Sequence, residues 1–300
     1  DCSGVICCLD AIEQVVDEAI EKKCNLIVAH HPIIFGGLKK LTGKNYVERT
    51  IIRAIKNDIA IYAIHTNLDN VIAGVNGKIA EKLGLQNLTI LSPKIGQLCK
   101  LYFYVPAAHA SAVTDSLFAA GAGNIGNYSE CSFSVNGIGT FKPNESANPF
   151  SGEKGKRHVD EEIKIELIFP AHLEHRIIAA LKANHPYEEV AYEVIRLNNV
   201  HQHIGAGITG EWQEAIDETA FLQKLKKIFG LSFIKHTSKT GRRVKKVSIC
   251  GGAGIFFLKD ALNSESDAYI TSDIKYHEFF EADGRILLTD IGHYESEQFT

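Results

Sequence analysis

Short apolar runs alternate with segments of helical period at both ends of the chain, and this alternation constrains its fold more than any other feature. Gly4–Leu9 (GVICCL) and Asn25–Ala29 (NLIVA) are bounded by polar residues and read as buried strands. Between them, Ala11–Lys23 puts Ile12, Val15, Val16, Ala19 and Ile20 on one helical face. A helix over Tyr46–Lys56 and a strand over Ile59–Ile64 follow. The far end repeats the grammar: strands at Val244–Cys250, Ala268–Ile270 and Ile286–Leu288, a glycine turn at Gly251–Gly254 and a helix at Ile255–Leu262. Alternation of this kind predicts an α/β fold with a mainly parallel sheet.

The middle is different. Leu101–Val105 is a strand ending in Pro106, with a helix to about Ala120, and Ser132–Val135 is a second strand. A loop rich in Gly, Pro, Asn and Ser runs to Gly155. Strand Ile163–Phe169 then ends in Pro170, before a helix to Ala183 and a strand Val190–Leu197. The segments Tyr102-Phe-Tyr-Val-Pro-Ala107 and Glu166-Leu-Ile-Phe-Pro-Ala171 repeat one another. Doubled βαβ is the ferredoxin-like pattern. The reading is therefore a discontinuous α/β domain, 1–100 and 200–300, with an inserted α+β domain at 101–199.

Composition narrows the function classes. A net charge of −4 and a pI near 6.4 argue against general binding to nucleic acid or an anionic membrane. No apolar run approaches the length of a membrane span, and no signal peptide precedes the first strand. Seven cysteines, an odd number without a CxxC pair, predict a reducing, cytoplasmic setting. The chain starts at Asp1 and contains no methionine, which reads as a fragment written without its methionines. Long-range spacings are then expected to be a few residues short, with local motifs intact.

The chemistry concentrates at strand ends. His30 and His31 follow the second strand, and His65 and Asp69 follow Ile59–Ile64. Asp273 follows Ala268–Ile270, and His293 and Glu297 follow Ile286–Leu288. Open α/β sheets bind ligands beyond the carboxyl ends of their strands. One strand-end histidine is ordinarily a surface or turn residue, but several independent segments bringing imidazoles and carboxylates to one edge favour metal. If a helix starts near His293, Glu297 lies at i+4 on the same face. Neighbouring His30 and His31 in extended backbone point opposite ways, so each suits a different one of two adjacent ions, which a carboxylate could bridge.

Other features carry less. Gly251-Gly-Ala-Gly254 lacks both the P-loop Lys-Ser/Thr and the dinucleotide fingerprint, so a tight turn is the better reading and substrate contact the minor one. The basic run Lys235–Lys246 reads as a solvated loop. His172, His175, His201 and His203 read as surface residues.

Asn25-Leu-Ile-Val-Ala-His-His-Pro-Ile-Ile-Phe35, His65-Thr-Asn-Leu-Asp69 and Gly292-His-Tyr-Glu-Ser-Glu297 resemble the Nif-three-like family, also called GTP cyclohydrolase 1 type 2 homologues. Gly74-Val-Asn76, Thr271-Ser-Asp-Ile-Lys-Tyr-His277, Gly126-Asn-Tyr-Ser129 and Gly139-Thr-Phe-Lys-Pro143 extend the resemblance over nearly the whole chain, in its long bacterial form. Ser272 stands where glycine is common in the family, and the family's N-terminal helix is missing.

The resemblance implies an α/β domain built from two related βαβ halves, a ferredoxin-like insert and a homohexameric toroid. It also implies two divalent ions per chain, zinc, iron or manganese. His31 and Asp69 would bind one ion and His30 and His293 the other, with Glu297 bridging; His65 would be an additional or outer ligand. Asp273 and His277 stand as further outer candidates, and with Lys275 and Glu295 as candidate acid–base groups. The expected function is hydrolysis of a nucleotide or phosphorylated small molecule. The alternative is a non-catalytic metal-binding scaffold or a metal or small-molecule sensor.

Overall fold

The computed structural model describes residues 1–300, which divide into two compact units: Asp1–Pro93 with His203–Thr300, and Lys94–Gln202.

The first unit has two sheets. The smaller is β1 (Val5–Asp10), β2 (Leu26–His31) and β3 (Ala60–Ala63), all parallel in the order β1-β2-β3. Helices α1 (Glu13–Glu21) and α2 (Tyr46–Lys56) make the crossovers. Val16, Ala19, Ile27, Ala29, Ala54 and Ile59 form its core. The short helix α3 (Thr66–Asp69) and then α4 (Val75–Leu83) lead to β4 (Gln86–Pro93).

The larger sheet has six strands. β4 and β9 (Gly205–Asp217) pair antiparallel, as do β9 and β11 (Arg243–Ala253). β11, β12 (Ala268–Ser272) and β13 (Leu287–Asp290) are parallel, and β10 (Lys235–His236) caps the edge antiparallel, giving the order β10-β13-β12-β11-β9-β4. Helices α7 (Glu218–Phe229) and α8 (Leu258–Asn263) flank it, and α9 (His293–Glu297) follows β13. Ile79, Leu83, Ile208, Phe221, Val247 and Ile249 lie in its core.

The expectation of one mainly parallel sheet is corrected here. The two ends form separate sheets, and β4 and β9 make the larger one mixed. The glycine run is not simply a turn, since β11 continues through Gly251 and Gly252 to Ala253 with a register shift after Ile249.

The second unit is a four-stranded antiparallel sheet. Its strands are β5 (Leu98–Pro106), β6 (Ser132–Phe141), β7 (His158–Pro170) and β8 (Tyr192–Leu197), in the order β6-β7-β5-β8. Helices α5 (Ala110–Ala119) and α6 (Glu174–Asn184) pack on it through Val113, Leu117, Ile177 and Leu181. The repeat in the sequence is repeated structure: Pro106 and Pro170 each end a strand, and a single 3-10 turn then opens a helix.

Candidate metal centre

Three chain segments meet at one place in the first unit. His30 and His31 are the last two residues of β2, and their rings do not point opposite ways but meet edge to face, at 65° with centroids 4.7 Å apart. Asp69 ends α3, one turn beyond β3. His293 and Glu297 are the first and last residues of α9, at i and i+4, with His293 Nε2 3.3 Å from Glu297 Oε2.

The Glu297 carboxylate is buried and divides the donors between its oxygens. Near Oε1 lies His30 Nε2 at 3.5 Å, and that nitrogen is 3.6 Å from Asp69 Oδ1. Near Oε2 lie His31 Nε2 at 3.1 Å and His293 Nε2 at 3.3 Å, these two nitrogens being 3.3 Å apart. The donor atoms of His30, His31 and Glu297 lie within 4.8 Å of one another, so this trio could hold a metal ion. The resemblance put His31 with Asp69 and His30 with His293; in the structure His30 lies beside Asp69, and His31 beside His293.

The donors fit a cation. Both nitrogens of His30, Asp69 Oδ1 and Glu297 Oε2 are buried without a hydrogen-bond partner. Each such atom costs about 1–3 kcal/mol, and more when charged, unless something satisfies it. Imidazole nitrogen and carboxylate oxygen together suit a first-row divalent ion. Burial pushes the Glu297 carboxyl up, but His293 and His30 more than reverse this and hold it at about 2. Glu297, against burial and with help from Asp273, pushes His293 up to about 9. Burial pushes His30 down, yet Glu297 and Asp69 leave it above its ordinary value. For Asp69 burial wins, and its carboxyl is raised.

Behind the donors stands a supporting layer. Asp273 Oδ2 lies 2.6 Å from His293 Nδ1, and Asp10 Oδ1 lies 3.0 Å from His31 Nδ1. A carboxylate on Nδ1 fixes the ring and frees Nε2 to act as ligand. Asp10 ends β1 and pairs in register with His31, so its place at the sheet edge could have betrayed it. Buried Asn76 donates to the Asp69 carbonyl at 3.1 Å and accepts from the Gly251 amide at 2.8 Å, tying α4 to both flanks of the site. Gly252 has φ +65, and a Cβ there would lie 2.5 Å from Glu297 Oε1 and 3.4 Å from His293 Nε2.

Two outer candidates fare differently. The His65 ring centroid is 5.8 Å from those of both His30 and His31, which places it at the rim. His277 is exposed and packs against Tyr276 and Phe280. Asp273 is left-handed at φ 57, and His277 lies in the 3-10 helix Tyr276–Ala282 that follows.

Residues 1–300 match the Duf34/NIF3 (NGG1p interacting factor 3) family. The chain belongs to the Duf34/NIF3 family. It is 40% identical over 292 residues to a Halalkalibacterium halodurans protein called GTP cyclohydrolase 1 type 2 homolog, covering 96% of this chain and 78% of that one. A Bacillus subtilis protein of the same name is 39% identical over 293 residues, covering 97% and 79%. Among solved structures, a Bacillus cereus protein related to NIF3 superposes with a TM-score of 0.85 at 40% identity, over 97% of this chain and 79% of that one. A Staphylococcus aureus protein does so with a TM-score of 0.73 at 29% identity, over 99% and 78%. No helix of this Duf34/NIF3 member is long and apolar enough to cross a membrane.

Proposed function

We propose that the chain holds two divalent metal ions side by side and uses them to hydrolyse a phosphorylated small molecule of the nucleotide class. The division of Glu297 carries this reading. His30 and Asp69 would serve one ion with Oε1, His31 and His293 the other with Oε2, and Glu297 would bridge. Bound there, two ions would supply an activated water and a clamp on both oxygens of a displacement. The protein's own part is to aim the donors: Asp10 and Asp273 orient His31 and His293, and Asn76 fixes the backbone at Asp69 and Gly251. The relatives' name supports a nucleotide as substrate. In the second unit, the strand order and the strand–helix repeat support a ferredoxin-like insert.

One observation favours a second, non-catalytic reading, a metal-binding scaffold or sensor assembled as a homohexameric toroid. Of the acid–base candidates, Asp273 is committed to His293 and His277 lies against Tyr276 and Phe280. The deciding experiment loads the full chain with zinc, iron or manganese and assays it on a panel of nucleotides and phosphoesters. Turnover abolished by chelator and restored by metal supports the hydrolase; metal-loaded protein inert on the whole panel supports the scaffold.

A further inference from the structure

The second unit contains a cavity of about 480 Å³, within the range of small-molecule sites. It lies over the ends of β6 and β7 and under the loops 142–151 and 187–191. Three of its walls are aromatic. The Tyr187 ring lies 5.9 Å from that of Phe150 and 6.5 Å from that of Phe141. Phe150 is 54% exposed, a large apolar ring left in solvent at the mouth.

The polar lining is acidic. Glu162, Glu188 and Glu189 face it against a single Lys142. Glu162 Oε1 accepts the Tyr187 hydroxyl at 2.8 Å. Its Oε2 lies over Gly139, where a Cβ would come within 2.1 Å, so strand β6 leaves room for this carboxylate by lacking a side chain. The Glu188 carboxylate accepts the Asn148 amide at 2.8 Å and so joins the two loops across the cavity. Burial and Glu162 raise the Tyr187 phenol well above its usual value, which keeps its proton on the Glu162 hydrogen bond. The walls are therefore held in place by their own hydrogen bonds.

Aromatic faces attract cations and flat rings, and carboxylates select positive charge. We propose that this cavity is a binding site for a small flat organic cation, an aromatic amine or amidine. The ring stacks among Phe141, Phe150 and Tyr187, and the positive end meets Glu162 and Glu188. Its lining belongs to the second unit and the metal donors to the first, and the proposal stands whether or not the metal reading holds.

The test uses the full chain and two probes of equal size and opposite charge, benzamidine and benzoate, with binding read by ligand-observed saturation-transfer NMR. Benzamidine should bind tighter than benzoate by roughly two- to fivefold, the scale of one cation–π contact at a partly exposed ring. Phe150→Ala, at a position more than half exposed, should weaken benzamidine about twofold or more, as should Glu162→Gln, each in protein shown to be folded by circular dichroism. Glu297→Ala should leave it unchanged. The proposal is overturned if benzamidine does not bind, if benzoate binds as well, if Phe150→Ala and Glu162→Gln both bind as wild type does, or if Glu297→Ala abolishes binding.

Discussion

Asp10 Oδ1 lies 3.0 Å from Nδ1 of His31, on the opposite edge of the imidazole from the nitrogen that faces Glu297. Asp273 holds His293 in the same way. Both histidines on the Oε2 side of Glu297 therefore have a carboxylate behind them, whereas His30 Nδ1 has no partner. Asp10→Asn and Asp273→Asn should each weaken the ion on the Oε2 side by about 10–100-fold, the usual effect of removing an outer carboxylate. The ion beside His30 should be retained. Calorimetric zinc titration resolves the two steps, and equal weakening of both would contradict the division.

Glu297 touches donors of both groups, so Glu297→Ala should lose most of both ions, while Asp69→Ala should lose mainly one. Elemental analysis of protein shown to be folded by circular dichroism decides this. Full occupancy in Glu297→Ala would sink the assignment.

Gly252 is required for two independent reasons, its φ of +65 and the approach of Glu297. Gly252→Ala should cost on the order of 1–3 kcal/mol of stability and also reduce metal content by displacing Glu297. A lowered Tm with unchanged metal content would mean that the carboxylate accommodates the methyl group.

His293 is raised from 6.5 to about 9 by Glu297, with Asp273 helping against burial, so at pH 7.5 its ring is protonated in the metal-free protein. A cation and a proton compete for Nε2. Metal affinity should therefore climb with pH up to about 9, and binding at pH 7.5 should release roughly one proton per chain from this group. Calorimetry in buffers of different ionisation heat counts it; zero release contradicts the assignment. In the absence of metal the sign is opposite. A raised histidine stabilises the fold fully below 6.5, and that contribution is lost as pH rises through about 9.

Pro93 and Gly205 are paired residues of β4 and β9, on either side of the second unit. Replacing residues 94–204 by a two-residue Asn-Gly turn should join these strands as a plain hairpin. The shortened chain should fold and keep its metal, because every proposed donor lies outside the excised stretch. A folded deletion that binds no metal would show that the insert supplies ligands.

Legibility in the sequence followed locality. His30, His31, Asp69, His293 and Glu297 could be expected to meet because each follows a short apolar run, and α9 needs only the i, i+4 spacing to aim two of them. Asp10 was missed because an acid after a strand looks like turn chemistry until its register with His31 is known. β4 and β9 were missed because Gly205-Ala-Gly-Ile-Thr-Gly210 has little apolar alternation, and its partner lies across the whole insert.

The two nitrogens that meet beside Glu297, on His31 and His293, are 262 residues apart in the chain. On a ribosome, the β2 histidines emerge long before the helix that completes the centre. A nascent chain can fold β1 to β3 and the whole second unit while it still lacks His293 and Glu297, and closing so long a loop comes late in folding. A chain that ends before α9 keeps His30, His31 and Asp69 but lacks the Glu297 carboxylate that lies between them, so the proposed metal capture waits for α9.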